Sequence, residues 1–201
     1  MKKGVKEVER TVEVPEGVEV KLGEGFFTVK GPKGELRRDF PGYVDVSMEG
    51  NAVKFRVEGD RQRTAIAGTM AAHLRNMALG VTRGYEGRMK FVYSHFPVKV
   101  AAEGSALVIQ NFLGERKPRR VEGAEGVEIK VQKDEIIITG IDKEAVGQTM
   151  ARIERKTKVR GFDRRIFQDG IYMIRKASPA GGGDDRGGPK KGGNEPREGS
   201  E

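Results

Sequence analysis

Apolar and polar residues alternate over short stretches in the first half of the chain, at residues 18–22, 26–30, 44–48 and 53–57, with Gly, Pro or Asn between them. Successive side chains of a strand point to opposite faces, so this period of two predicts half-buried strands. Glu49-Gly50-Asn51 predicts a hairpin turn, and Gln132-Lys133-Asp134 holds the corresponding place later in the chain. The period then lengthens. Ile66, Met70, Leu74, Met77 and Val81 recur at intervals of four, four, three and four. That stripe predicts a helix over about residues 61–79, with Asp60 as its N-cap and Gly80 as its stop. A second helix is expected from its cap at Asp142 to about residue 158, with Val146, Met150 and Ile153 facing inward. A last strand is expected to close each unit, over residues 89–93 and 171–174.

The chain also repeats itself at a spacing near 80 residues. Val18-Glu-Val-Lys21 answers to Val98-Lys-Val-Ala101. The nine residues from Phe27 align with the nine from Leu107, and both runs end in Gly-Glu. Thr69-Met-Ala71 recurs as Thr149-Met-Ala151, and Arg83-Gly-Tyr-Glu86 as Arg160-Gly-Phe-Asp163. Matches kept in one order argue for a duplicated unit. The fold class expected is therefore α+β: a tandem duplication of a small domain, each copy an antiparallel sheet with one helix packed on a face. Residues 1–93 form the first repeat, 94–176 the second, and 177–201 a disordered Gly-rich tail. That tail holds eight Gly and three Pro and no aromatic or branched aliphatic residue, too little apolar surface to offset the entropy of ordering it.

Composition narrows the chemistry. There are 201 residues with no Cys or Trp and two His, which excludes disulfides, iron–sulfur clusters, zinc–thiolate sites and a Cys nucleophile. No Walker-type loop or Gly-x-Ser-x-Gly elbow is present. His73 falls beside the stripe of the first helix and reads as a packing residue, and Asp184-Asp185 sits in the tail. No catalytic residue, metal site, cofactor or small-molecule substrate is expected. No apolar run reaches the roughly 18 residues of a membrane span, and the start lacks the apolar centre of a signal peptide, so a soluble intracellular chain is expected.

Charge changes the picture more. The formal net charge is +8, of which residues 1–93 carry +4 from 17 basic and 13 acidic side chains. Residues 152–176 alone hold nine basic and three acidic side chains. Arg116-Lys117-Pro118-Arg119-Arg120 adds four cations with no anion. Arg152, Arg155 and Lys156 share one helical face, and Lys158, Arg160, Arg164 and Arg165 follow in a loop containing Gly161. Arg forks onto phosphate oxygens while Lys acts as a point charge, so two cationic segments in the second unit point to nucleic acid over a merely solvated face. Phe162, Phe167 and Tyr172 interleave with these cations; stacking on bases is one use for them, and core packing is the expected one.

The run Arg165-Ile-Phe-Gln-Asp-Gly-Ile-Tyr-Met173 resembles the C-terminal signature of the large-subunit ribosomal protein six family in its archaeal and eukaryotic form. Residues 158–164 and 111–117 fit the same family, and the resemblance extends over about residues 5–176. The bacterial branch's Tyr-Lys-Gly-Lys-Gly loop is absent, and the Gly-rich tail is not part of the family pattern. The resemblance implies a non-enzymatic constituent of the large ribosomal subunit, ribosome-bound in the cytoplasm. It would bind large-subunit rRNA near the sarcin–ricin loop and the stalk base where translational GTPases dock, beside neighbouring ribosomal proteins and with no membrane contact. Carried over by position, it implies rRNA contacts at Lys117, Arg119, Arg120, Lys156, Lys158, Arg160, Arg164 and Arg165, with Gly161 and Gly170 allowing close backbone approach. On the residues alone two other readings stay open: a free-standing RNA- or DNA-binding regulator, and an enzyme using carboxylates that no motif reveals.

Overall fold

In the computed structural model, which describes residues 6–93, 96–163 and 165–181, the alternating stretches are strands. The first half runs β1 (Lys6–Glu13), β2 (Glu19–Gly23), β3 (Phe26–Gly31), β4 (Gly34–Asp39), β5 (Asp45–Glu49), β6 (Ala52–Gly59) and helix α1 (Arg61–Arg83). The second half runs β7 (Tyr85–Val92), β8 (Lys99–Glu103), β9 (Ala106–Gln110), β10 (Arg119–Glu122), β11 (Val127–Gln132) and β12 (Glu135–Gly140). Helix α2 (Lys143–Lys156) and β13 (Gly170–Pro179) complete it. Both expected hairpin turns are there: Glu49 pairs with Ala52 and Gln132 with Glu135, with Gly50 and Lys133 at positive φ.

Each unit holds two small antiparallel sheets, not one. Strands β1, β6 and β5 form one and β2, β3 and β4 another; in the second half β10, β9 and β8 form a third, and β11, β12, β7 and β13 a fourth. The two sheets of the first half and α1 enclose one core, where Phe27, Val53, Phe55 and Leu74 are fully buried. Sheets three and four enclose the other with α2, around Met89, Ile109, Ile138, Met150 and Ile153.

Strand β7 does not close the first unit, as expected for residues 89–93, but opens the second. It pairs with β12 on one side and β13 on the other, and Tyr85, Met89 and Phe91 enter the second core. The repeating order is a strand, a three-stranded sheet, a hairpin and a helix, so β7 answers to β1, which pairs with β6 in the same antiparallel sense. A strand's position between two helices cannot say which core its apolar face enters; partner strands decide that. Likewise β13 runs through Pro179, and Ala180 donates its N–H to the Gly84 carbonyl at 3.0 Å. Of the residues expected to begin the tail, Ser178 and Pro179 pair with β7; residues 182–201 lie outside the described residues.

Gly80 is not the stop of α1. The helix continues to Arg83 and ends at Gly84, whose φ of 76° is a positive value that glycine adopts at little cost. A Cβ at Gly80 would instead collide with the Ile141 carbonyl oxygen, so this glycine lets α1 approach the segment leading into α2. Around that approach lie polar ties between the units. Arg38 Nη1 meets Glu144 Oε2 at 2.7 Å, and His73 Nδ1 meets Glu144 Oε1 at 3.0 Å. Arg38 Nη2 lies 3.1 Å from His73 Nε2. A guanidinium only donates, so Nε2 accepts and the ring proton sits on Nδ1 facing the carboxylate. His73 is thus a half-buried polar link, not the packing residue expected. The Tyr85 hydroxyl donates to the Asn76 carbonyl at 2.9 Å; its pKa is pushed up to about 12, first by burial and then by the charge of Asp142.

Two outcomes follow from this packing. Gly80→Ala is expected to lower stability by about 1–3 kcal/mol through overpacking. Gly68→Ala, in the same helix with open space around its Cβ position, should raise it by roughly 0.5–1 kcal/mol; thermal melts of the two variants check the contrast. Because the folded pKa of Tyr85 lies above its ordinary value of 10.0, the stability this group contributes is complete below pH 10 and lost as pH rises toward 12. Denaturant titrations between those values should show a shallower alkaline loss for Tyr85→Phe than for the unmodified chain.

Candidate nucleic-acid interface

The basic surface depends on a local departure from the repeat. In the first unit β3 turns directly into β4, with Gly31 opposite Gly34. In the second, Asn111 and Leu113 take positive φ of 56° and 51°, and residues Phe112–Gly114 wind into a 3-10 turn. Asn tolerates this conformation better than most residues, and its Nδ2 donates to the Pro97 carbonyl at 3.1 Å. Phe112 plugs into the core, 2% exposed. The chain is thereby lifted off the sheet, and Arg116-Lys117-Pro118 forms an exposed rim before β10 begins.

The second cationic segment is held at the end of α2. Thr157 is buried; its Oγ1 donates to the Ile153 carbonyl at 3.0 Å and accepts from the Ile171 N–H at 3.2 Å. Beyond it the chain is extended, with Val159 buried and Lys158 and Arg160 turned outward. Arg119 joins the two segments: its Nη1 donates to the Lys156 carbonyl at 2.6 Å and its Nε to Glu115 Oε2 at 2.8 Å. The guanidinium also lies over the Phe112 ring, 4.3 Å from the centroid. The bond from Arg119 holds the Glu115 carboxyl below the ordinary glutamate range, outweighing the opposing effect of burial.

These pieces enclose a cleft of about 640 Å³ lined by Glu115, Lys117, Pro118, Arg119, Arg120, Arg155, Lys156, Lys158 and Arg160. Glu115 is the one acid on the wall, and Arg119 already engages it. Arg120 approaches Glu103 at 3.4 Å, an exposed pair of the kind worth little in water. Lys117, Lys156, Lys158 and Arg160 form no ion pair with any described residue. Arg155 and Lys156 in the last turn of α2 also complement the negative end of the helix dipole. Around the helix, a shallower hollow adds Arg152 to Arg120, Arg155 and Lys156. The arrangement gathers several unpaired cations around the end of α2 and the segments beside it, as a surface that contacts successive phosphates would.

Six expected residues thus share one cleft: Lys117, Arg119, Arg120, Lys156, Lys158 and Arg160. Arg119 serves it chiefly as a tie. Gly161 follows at the rim with φ of 79° and open space about it. Arg165 is exposed in the next turn, its N–H bonded to Asp163 Oδ1 at 2.9 Å, and does not line the cleft. Arg164 lies outside the described residues. A Cβ at Gly170 would come 3.1 Å from the ring of Tyr172, so the absent side chain is filled by that ring. Arg155 was not among the expected contacts, although it shares the Arg152–Lys156 helical face. The expectation that the aromatics pack in the core fails for two of them: Phe162 is 50% and Tyr172 46% exposed, while Phe167 is packed against the core.

A family model described as ribosomal protein L6 matches residues 14–84 and again 96–170. The chain is 50% identical over 175 residues to a large ribosomal subunit protein uL6 of Methanosarcina mazei, covering 86% of this chain and 99% of that one. It is 51% identical over 175 residues, with the same coverage, to the uL6 of Methanothrix thermoacetophila. Identity to that of Methanospirillum hungatei is 46% over 173 residues, 85% of this chain and 98% of the relative.

Arg119→Ala is expected to lower stability by about 1–2 kcal/mol, since it removes a cation–π contact and hydrogen bonds to a carbonyl and a carboxylate. Lys158→Ala and Arg160→Ala should leave the melting temperature unchanged. The folded pKa of Glu115 is depressed, so the Arg119 contribution is present above the unfolded glutamate pKa and lost as pH falls through the folded value. Melting curves of Arg119→Ala and the unmodified chain should therefore draw closer in acid, the remaining gap being the part that the Lys156 carbonyl and the Phe112 ring supply.

Proposed function

This chain belongs to the ribosomal protein L6 family, and on that footing we propose that it is a structural constituent of the large ribosomal subunit, holding large-subunit rRNA through its second unit. The family is structural and the protein is not an enzyme. The observation that carries the reading is the cleft where Lys117, Lys156, Lys158 and Arg160 converge with no free acid among the lining residues. In the first unit, by contrast, Lys54 lies between Glu49 at 2.6 Å and Glu9 at 3.6 Å, and Arg56 between Glu7 at 3.0 Å and Glu9 at 3.5 Å; Lys21 has Glu19 at 3.5 Å, an exposed pair no stronger than that of Arg120 with Glu103. Cations already neutralised within the fold release few counterions on binding, so the same number of charges contributes less there.

The finer placement rests on the resemblance of residues 165–173 to the family's C-terminal signature. It puts the second unit beside the sarcin–ricin loop and the stalk base, near where translational GTPases dock, with neighbouring ribosomal proteins in contact and the particle in the cytoplasm. There the protein would brace rRNA, with Arg164 and Arg165 extending the contacts of the cleft and Gly161 allowing the backbone close to a phosphate.

Binding of the full chain to large-subunit rRNA across a salt series tests the reading. Lys117→Gln, Lys158→Gln and Arg160→Gln together should weaken binding strongly and lower the slope of log K against log salt by about 2–3. Lys21→Gln, Lys54→Gln and Arg56→Gln together should change it little. Equal losses from both sets would sink the assignment to the second unit, and cross-links mapping far from the sarcin–ricin loop and stalk base would sink the finer placement.

A further inference from the structure

A second recess adjoins the basic cleft, between the end of α2 and the start of β13, and the charge reading leaves it unused. Its volume is about 440 Å³, within the range of roughly 300–1,000 Å³ typical of small-ligand sites. We propose that it takes one unstacked base of the RNA whose phosphates the cleft holds, a proposal that rests on the RNA-binding reading above.

The interior suits a ring face. Val159 and Ile171 supply buried apolar surface, with Phe167 and Tyr172 beside them. Tyr172 is nearly half exposed, yet the hydroxyl end of its ring is held: the hydroxyl donates to the Gln168 carbonyl at 3.1 Å, and the same edge of the ring lies against Gly170, 3.1 Å from where a Cβ on that residue would stand. An exposed aromatic held in place is a stacking platform that loses little further entropy when it is covered. Phe162, tilted against Phe167 with ring centroids 4.8 Å apart, continues the aromatic surface outward.

The rim suits a phosphate. Arg155 and Lys158 line both the recess and the cleft, so a backbone tracking along the cations arrives at the mouth without a break. A nucleotide is the ligand that combines a polyanionic strand with an apolar ring. Bases inside a duplex are stacked and cannot enter, so the occupant is a base turned out of a loop, bulge or end. The Glu154 carboxylate and the Gln168 amide lie in the lining and offer hydrogen-bonding groups to its edge.

The test uses the full chain and an in vitro transcript of large-subunit rRNA from the source organism, with affinity measured across a salt series. Loss of one stacked base costs about tenfold or more, so Tyr172→Ala should weaken binding by about tenfold at every salt concentration. The salt slope should not change, because no charge is removed. Tyr172→Phe, which keeps the ring and gives up only the bond to Gln168, should lose much less affinity than Tyr172→Ala. Irradiation of the unmodified complex should cross-link a base to the peptide spanning Phe167 and Tyr172, a readout independent of how well the variants fold. Unaltered binding by Tyr172→Ala, or a complete lack of cross-links in that peptide, would overturn the proposal. So would a Tyr172→Ala variant that binds rRNA normally but washes off assembled subunits, which would assign the recess to a neighbouring protein. A Lys158→Gln variant whose slope failed to drop by about 1 would count against the RNA-binding reading itself.

Discussion

The last turn of α2 is where the second unit's surface is made rigid. Every helix ends with carbonyls that lack partners within the helix, and here they are taken by the cap residue Thr157 and by a side chain from β10. Ile153 accepts from the Thr157 N–H and hydroxyl, and Lys156 accepts from Arg119. The Thr157 hydroxyl in turn receives the Ile171 N–H at the start of β13. One helix end thus locks β10, the extended segment after α2 and β13 to one another. Because Arg119 is neutralised by Glu115 while doing so, the tie adds no free charge of its own. The cations on either side then hold fixed separations, which a set of phosphate contacts requires if binding is not to be spent on ordering loops.

The duplication shows how little of this is a property of the fold. Both units bury a helix against two antiparallel sheets, and both carry abundant Lys and Arg. In the first, the two cations at the centre of the β1–β6–β5 sheet face carboxylates on neighbouring strands: Lys54 lies between Glu9 and Glu49, and Arg56 between Glu7 and Glu9. In the second, the cations of the cleft gather where two loops and a helix end converge, and the one acid on its wall is already engaged. A net charge for each half would describe both units as mildly basic; pairing across strands separates them.

The two units are also joined by more than a linker. Gly80 permits backbone contact with Ile141, and Glu144 at the start of α2 receives both Arg38 and His73 from the first unit. Exposed ion pairs contribute little singly, but a carboxylate shared by two partners beside a close backbone approach fixes an angle between the units. The first unit thereby acts as a support that orients the second.

What could be read along the chain were the features set by neighbours in sequence. The strand periods, the turns at Gly50 and Lys133, the caps at Asp60 and Asp142 and the apolar stripes of both helices all depend on residues a few positions apart, and each appears where the pattern put it. The duplication was visible for the same reason, and the two cationic segments were visible as composition. What the pattern missed depended on partners distant in sequence. Residue 80 is glycine because of a carbonyl some sixty positions later, and β7 joins the second core because β12 and β13 flank it. Tyr172 stays exposed because β13 turns it away from the core, and Arg119 is a brace because Lys156 lies beside it. The amino-acid order alone determined two α+β copies and where positive charge concentrates. Only long-range packing decided which of those charges remain unpaired, because pairing is a matter of distance in space, and nothing along a chain records which segments will meet.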